Sequence, residues 1–108
     1  MPTLVIASEA GLTVRALTDI PELLGAVFGA DGLLLTEGDL GPAVFDLRTG
    51  VAGELFQKLV NYRVRTALIL RDPAAHGERF AELAYEHARH PTVRFFTEEG
   101  AARRWLEQ

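Results

Sequence analysis

Four short apolar runs, "TLVIA", "LLLTE", "VRTALIL" and "TVRFF", recur along the chain, and the later ones are separated by segments with apolar residues at helical spacing. This alternation constrains the fold more than any single residue does. Strands interleaved with helices of about ten to fifteen residues imply parallel pairing through right-handed crossovers. A chain of 108 residues suits one domain with a two-layer core, so residues 1–108 are read as a single unit.

"TLVIA" and "LTVRAL" flank Ser8-Glu9-Ala10-Gly11, which predicts a β-hairpin at the start. "TDIPELLGAVF" then reads as a helix capped by Thr18 or Asp19, with Pro21 in its first turn and Gly29 as its stop. "GDLGP" reads as a turn. Val51, Ala52, Leu55, Phe56, Leu59 and Val60 form one wide apolar stripe, with Glu54 and Lys58 ordered for a weak i,i+4 pair on the polar side. Asp72-Pro73 opens a third helix whose predicted buried face is Phe80, Leu83, Ala84 and His87, and Pro91 ends it. After "TVRFF", Thr97 is the expected cap of a closing helix that turns Trp105 and Leu106 inward. The expectation is an α/β fold of two layers. Its mixed sheet has about five strands, a hairpin followed by parallel crossovers, beneath about four helices.

Charge and composition narrow the function. A net charge of −4 argues against general affinity for nucleic acid, which needs a basic face. The absence of cysteine removes disulfides and thiolate chemistry. The start has no basic leader and only a short apolar run, so neither a signal peptide nor a membrane span is expected, and the predicted location is the cytoplasm. Ten of the eleven basic residues are arginine, a bias that suggests a GC-rich bacterial genome.

The candidate site is Asp46, Arg48, Thr49 and Gly50, an acid, a base, a hydroxyl and a glycine just ahead of the best helix. Helices that follow parallel strands bring their N-termini to the edge where open α/β sheets bind ligands. On that layout Arg71, Asp72, Thr97 and Glu98 crowd the same edge. Bare N–H groups at the helix start, strengthened by Arg48, would suit an anion. The ordinary reading of each residue is structural: Thr49 as a helix cap, Asp46 bonded to its own turn, Arg48 solvated. Gly50 and Gly53 are expected to permit close packing on the sheet. A second candidate patch is Tyr62, Arg63 and Arg65, an aromatic–arginine cluster of the kind that anchors interfaces; its ordinary reading is a buried tyrosine ring.

Other chemistry finds little support. Glu82, Glu86, His87 and His90 crowd one stretch, but no recognised metal-ligand spacing is present, and no metal or cofactor is assigned. The only serine, Ser8, lies in the predicted first turn and no histidine is near Thr49 in sequence, so no catalytic residue is assigned.

Residues from about 29 to 106 resemble a bacterial family of uncharacterised proteins, domain of unknown function 4180. The resemblance is carried by "FDLRTGVAGELFQKLVNYRVRTALI" and implies no activity. In element order, in "FDLRTG" and in "VRFFTEEGAARRWLEQ", the chain is also similar to anti-sigma factor antagonist (STAS) domains and their lipid-binding relatives. That likeness implies a STAS-like sheet and a phosphoryl-accepting hydroxyl at Thr49. The leading expectation is a non-catalytic regulatory or adaptor module that binds a protein partner through Asp46–Gly50, with a homodimer as one form of partner. The alternative is a carrier of a small apolar molecule or lipid, held between Phe28, Phe45, Phe56, Phe95 and Phe96; an enzyme ranks third.

Overall fold

The computed structural model describes residues 3–108. Four strands, β1 (Leu4–Ile6), β2 (Gly32–Thr36), β3 (Thr66–Ile69) and β4 (Val93–Phe96), form one sheet in the order β1-β2-β3-β4, and every neighbouring pair is parallel. Six α-helices accompany them among the described residues: α1 (Ala7–Ala10), α2 (Ile20–Val27), α3 (Pro42–Phe45), α4 (Val51–Asn61), α5 (Glu78–Glu86) and α6 (Glu99–Leu106).

Strand order follows chain order, so each right-handed crossover steps the same way and puts its helix on the same face. The core agrees. Side chains alternate across a strand, and Leu33, Leu35, Leu68, Leu70, Val93 and Phe95 pack with Leu23 and Val27 of α2, Leu55 and Leu59 of α4, and Phe80 of α5. The intervening residues Leu34 and Ala67 meet Ala102, Trp105 and Leu106 of α6 on the opposite face. Each large side chain so buried contributes about 1.5–3 kcal/mol.

The predicted hairpin does not form. Ser8-Glu9-Ala10 takes a helical turn within α1, closed by Gly11 in the left-handed region (φ 70°), and β1 pairs with β2 alone. Residues 12–16 run past the sheet instead, and Val14 makes only an isolated parallel bridge to Leu40: its N–H donates to Asp39 O (2.9 Å) and its carbonyl accepts from Gly41 N (2.9 Å). Of that run only Val14 is buried, so one apolar anchor replaces a strand. The sheet therefore has four strands rather than five and is wholly parallel rather than mixed.

The four expected helices are α2, α4, α5 and α6, with the one-turn α1 and α3 added. Asp72-Pro73 opens a 3₁₀ turn (Pro73–His76), and α5 begins only after Gly77. Glu98 rather than Thr97 stands at the N-cap of α6, without a side-chain cap bond. Val60, placed in the α4 stripe by spacing, is 38% exposed.

Candidate functional site at the carboxyl edge

Every strand ends at the same edge of a parallel sheet, and the segments leaving β2, β3 and β4 meet there. The segment after β2 is the longest. It contains α3, the 3₁₀ turn Leu47–Thr49 and the start of α4, so it carries Asp46–Gly50 to the rim.

That turn is braced from within. Asp46 Oδ1 accepts the Arg48 backbone N–H (3.1 Å) and its Nε–H (3.0 Å), while Asp46 Oδ2 accepts from Nη2 (3.1 Å). These side-chain bonds from Arg48, then its backbone N–H, hold the Asp46 carboxyl below its ordinary range, and Arg48 is shifted upward by the same pairing. The Thr49 hydroxyl reaches the carbonyls of Ala43 and Asp46 and accepts from Val51 N–H (3.2 Å), tying α3 to the first turn of α4. Asp46 and Thr49 thus hold the loop, whereas Arg48 projects with its side chain 89% exposed.

Gly50 closes the turn with φ +80°, a conformation that L side chains resist. Gly53 has ordinary helical geometry, and a Cβ at either position would meet nothing within 4 Å. Neither glycine is needed for close packing on the sheet, contrary to the sequence expectation. Gly50→Ala is expected to lose about 1–2 kcal/mol of stability, and Gly53→Ala to gain about 0.5–1 kcal/mol from helix propensity. Urea midpoints of the two variants moving in the same direction would contradict this assignment.

Two residues missed by sequence reading complete the edge. Glu37, just beyond β2, accepts the Arg71 N–H at Oε1 (2.8 Å) and lies 3.0 Å from His76 Nε2 through Oε2. The Arg71 bond is the main cause of its lowered pKa, against the opposing effect of burial, with His76 adding to the lowering. His76 stacks on Phe45 with centroids 3.7 Å apart, and both rings meet Phe80 edge-on. Glu37 therefore joins the loops leaving β2 and β3. Beside it a cleft of about 810 Å³ has Phe45, Leu47 and Phe80 in its lining, with Asp46, Arg48, Glu78 and Arg79 as its charged groups. On the other side Glu37, Arg71, Thr97 and Glu98 line a smaller hollow of about 650 Å³. Glu37 follows directly on a buried parallel strand, the position from which α/β sheets offer ligand-binding side chains, and that was its available signal.

The second patch does not converge. Tyr62 is 60% exposed rather than buried, and Arg63 is exposed with φ 56°. Arg65 turns to the far face, where it stacks over Trp105 (4.4 Å) and donates to the carbonyls of Trp105 (2.7 Å) and Gln108 (3.1 Å). The five phenylalanines proposed for an apolar pocket are also separated. Phe28 is 85% exposed, Phe96 packs with Trp105, and Phe45, Phe56 and Phe95 join the three-helix core. His87 and His90 stack on each other and bond the backbone through Nδ1; burial, then the charges of His87 and Arg94, holds His90 below its ordinary range. Among the described residues no group of three or more histidines and acids is arranged to hold a metal ion, and no helix is long and apolar enough to cross a membrane.

Neither the curated proteins nor the solved structures contain a match to this chain. A sequence family does match it, from residue 2 to residue 106 at the end of α6, so the match extends further toward the N-terminus than the 29–106 expected from the sequence. The chain belongs to the family described as Domain of unknown function (DUF4180).

Proposed function

We propose that this domain is a non-catalytic binding module, regulatory or adaptor in role, that docks a protein partner at the carboxyl edge through Asp46–Gly50 and the adjoining cleft. One observation carries the reading: Arg48 stands 89% exposed on an internally braced turn, at a cleft with aromatic and aliphatic lining. A fixed turn presents its side chain with little ordering cost on binding, and arginines beside apolar anchors are frequent hot spots. The charges in the cleft are of both signs, Asp46 and Glu78 with Arg48 and Arg79, which favours a protein segment that places an apolar side chain on the floor and charges of both signs above it. Thr49 serves the turn as a brace. The likeness to antagonist domains adds support through the loop that precedes the central helix; the missing N-terminal hairpin limits it to that loop and the crossover layout.

The test compares wild-type, Arg48→Ala and Arg104→Ala chains as baits, followed by affinity measurement with the purified partner. Arg104 is exposed on α6, away from the cleft. Arg48→Ala is expected to weaken binding by roughly tenfold or more, with Arg104→Ala unchanged. Equal affinity for all three would remove the proposed surface.

A second reading, a carrier of a small apolar ligand, is favoured by an open groove of about 1180 Å³ between α2 and α4, well above the roughly 300 Å³ such a site needs.

A further inference from the structure

The groove between α2 and α4 lies on the outer side of the three-helix layer. Leu17, Pro21, Leu24 and Phe28 line one wall, and Gly50, Glu54, Lys58 and Tyr62 line the other. Phe28 is 85%, Tyr62 60% and Leu17 50% exposed, a concentration of large apolar side chains that soluble domains ordinarily cover. Gly25, in the middle of α2, also lines it. Glycine there weakens the helix, yet a Cβ would meet nothing within 4 Å, so packing inside the chain gives no reason for it.

The α4 wall says what covers this face. Its four residues are one i,i+4 ridge, reading small, acidic, basic, aromatic. The four positions are evenly spaced about the level of Phe56. A two-fold axis there brings an antiparallel copy of α4 across the groove and sets Gly50 against the partner's Tyr62 and Glu54 against the partner's Lys58. The same contacts recur in reverse. The ridge is thus complementary to itself in charge and in size, as an isologous interface demands. Packing of i,i+4 ridges is also the commonest helix–helix contact. Both helices return from the carboxyl edge, so Leu17 lies at the Gly50 end and Phe28 at the Tyr62 end. The axis then carries the partner's Phe28 to the end where Leu17 is uncovered.

We propose that the domain forms a two-fold symmetric dimer with a second copy of itself through the α2–α4 groove. Within one chain Glu54 and Lys58 form a partly exposed i,i+4 ion pair at 3.7 Å; such a pair is worth little by itself and can be exchanged for the same pairing across the axis. Arg48 lies outside the ridge, which makes dimerisation separable from partner docking at the carboxyl edge.

Sedimentation equilibrium of the full chain tests the proposal. The wild type is expected to dimerise. Glu54→Lys and Lys58→Glu, each of which creates two like-charge contacts, should each raise the dimer dissociation constant by about tenfold or more. The Glu54→Lys/Lys58→Glu double variant should restore it, and Arg48→Ala should leave it unchanged. Circular dichroism checks that all variants fold, and Phe28→Ser/Tyr62→Ser should give a folded monomer. A wild-type chain that stays monomeric up to millimolar concentration overturns the proposal. So does a dimer indifferent to the single reversals, a double variant that fails to recover, or a monomer that retains a small apolar ligand in native mass spectrometry.

Discussion

Phe80→Ala is expected to cost about 3–5 kcal/mol of unfolding free energy, a large share of the roughly 5–15 kcal/mol that holds a domain of this size together. Phe80 is 1% exposed and lies where α5 meets the sheet, in edge or tilted contact with Phe45, His76 and Phe95. Truncation removes the transfer free energy of the ring and leaves a cavity that three other rings are too rigid to fill. It also withdraws the edge contact beneath the His76–Phe45 stack, so the cleft beside Arg48 should loosen in the same variant. Phe80→Leu keeps most of the volume and should cost less than half as much. Denaturant unfolding measures both, and a loss below about 1 kcal/mol for Phe80→Ala would show that the site repacks freely.

Trp105→Ala should be of comparable size, about 3–5 kcal/mol, for a different reason. The face that receives α6 has few large side chains: Leu34, Ala67, Ala102, Trp105 and Leu106, with Leu4, Ile6, Ile69 and Phe96 at its margin. Trp105 is the largest of these, 6% exposed, and the guanidinium groups of Arg65 and Arg94 lie 4.4 and 4.7 Å from its ring centroid. Those cation–π contacts add roughly 0.5–1 kcal/mol each where partly exposed. Arg65 also donates to the carbonyls of Trp105 in the last turn of α6 and of Gln108 beyond it. Loss of the ring should therefore detach α6 locally before the sheet unfolds. Amide exchange in residues 99–106 should rise by more than exchange in α4. Equal acceleration in both helices would mean that the two faces unfold as one unit.

The regular parts of this fold were legible because their period was unambiguous. The α4 stripe of Val51, Ala52, Leu55, Phe56 and Leu59 is buried as its spacing implies. Val60 falls at the edge of that stripe, next to the helix end, and spacing does not separate covered from uncovered rim positions. "LTVRAL" alternates as a strand does, but a strand also needs a neighbour with free backbone groups. Val14 finds its partners at Asp39 and Gly41 rather than on β1. The Asp46–Gly50 turn was legible because its bonds are local, spanning two to six residues. The Glu37–His76 contact joins residues 39 positions apart, and Arg65 reaches carbonyls 40 and 43 positions away, which no local pattern announces. Tyr62 was expected to be buried because tyrosine commonly packs. It lies at the C-cap of α4, where the chain turns away through Arg63 in a left-handed conformation.

The docking proposal and the identity of the edge site depend on the loops after β2 and β3 meeting at one rim of a parallel sheet. The imidazole protons of His76 report that meeting directly by nuclear Overhauser spectroscopy. With ring centroids 3.7 Å apart and planes 9° from parallel, strong cross-peaks to the Phe45 ring and upfield-shifted His76 resonances are predicted, both lost in Phe45→Leu. His76 resonances at the positions of an unfolded chain, with no cross-peak to Phe45, would contradict the convergence and with it the site.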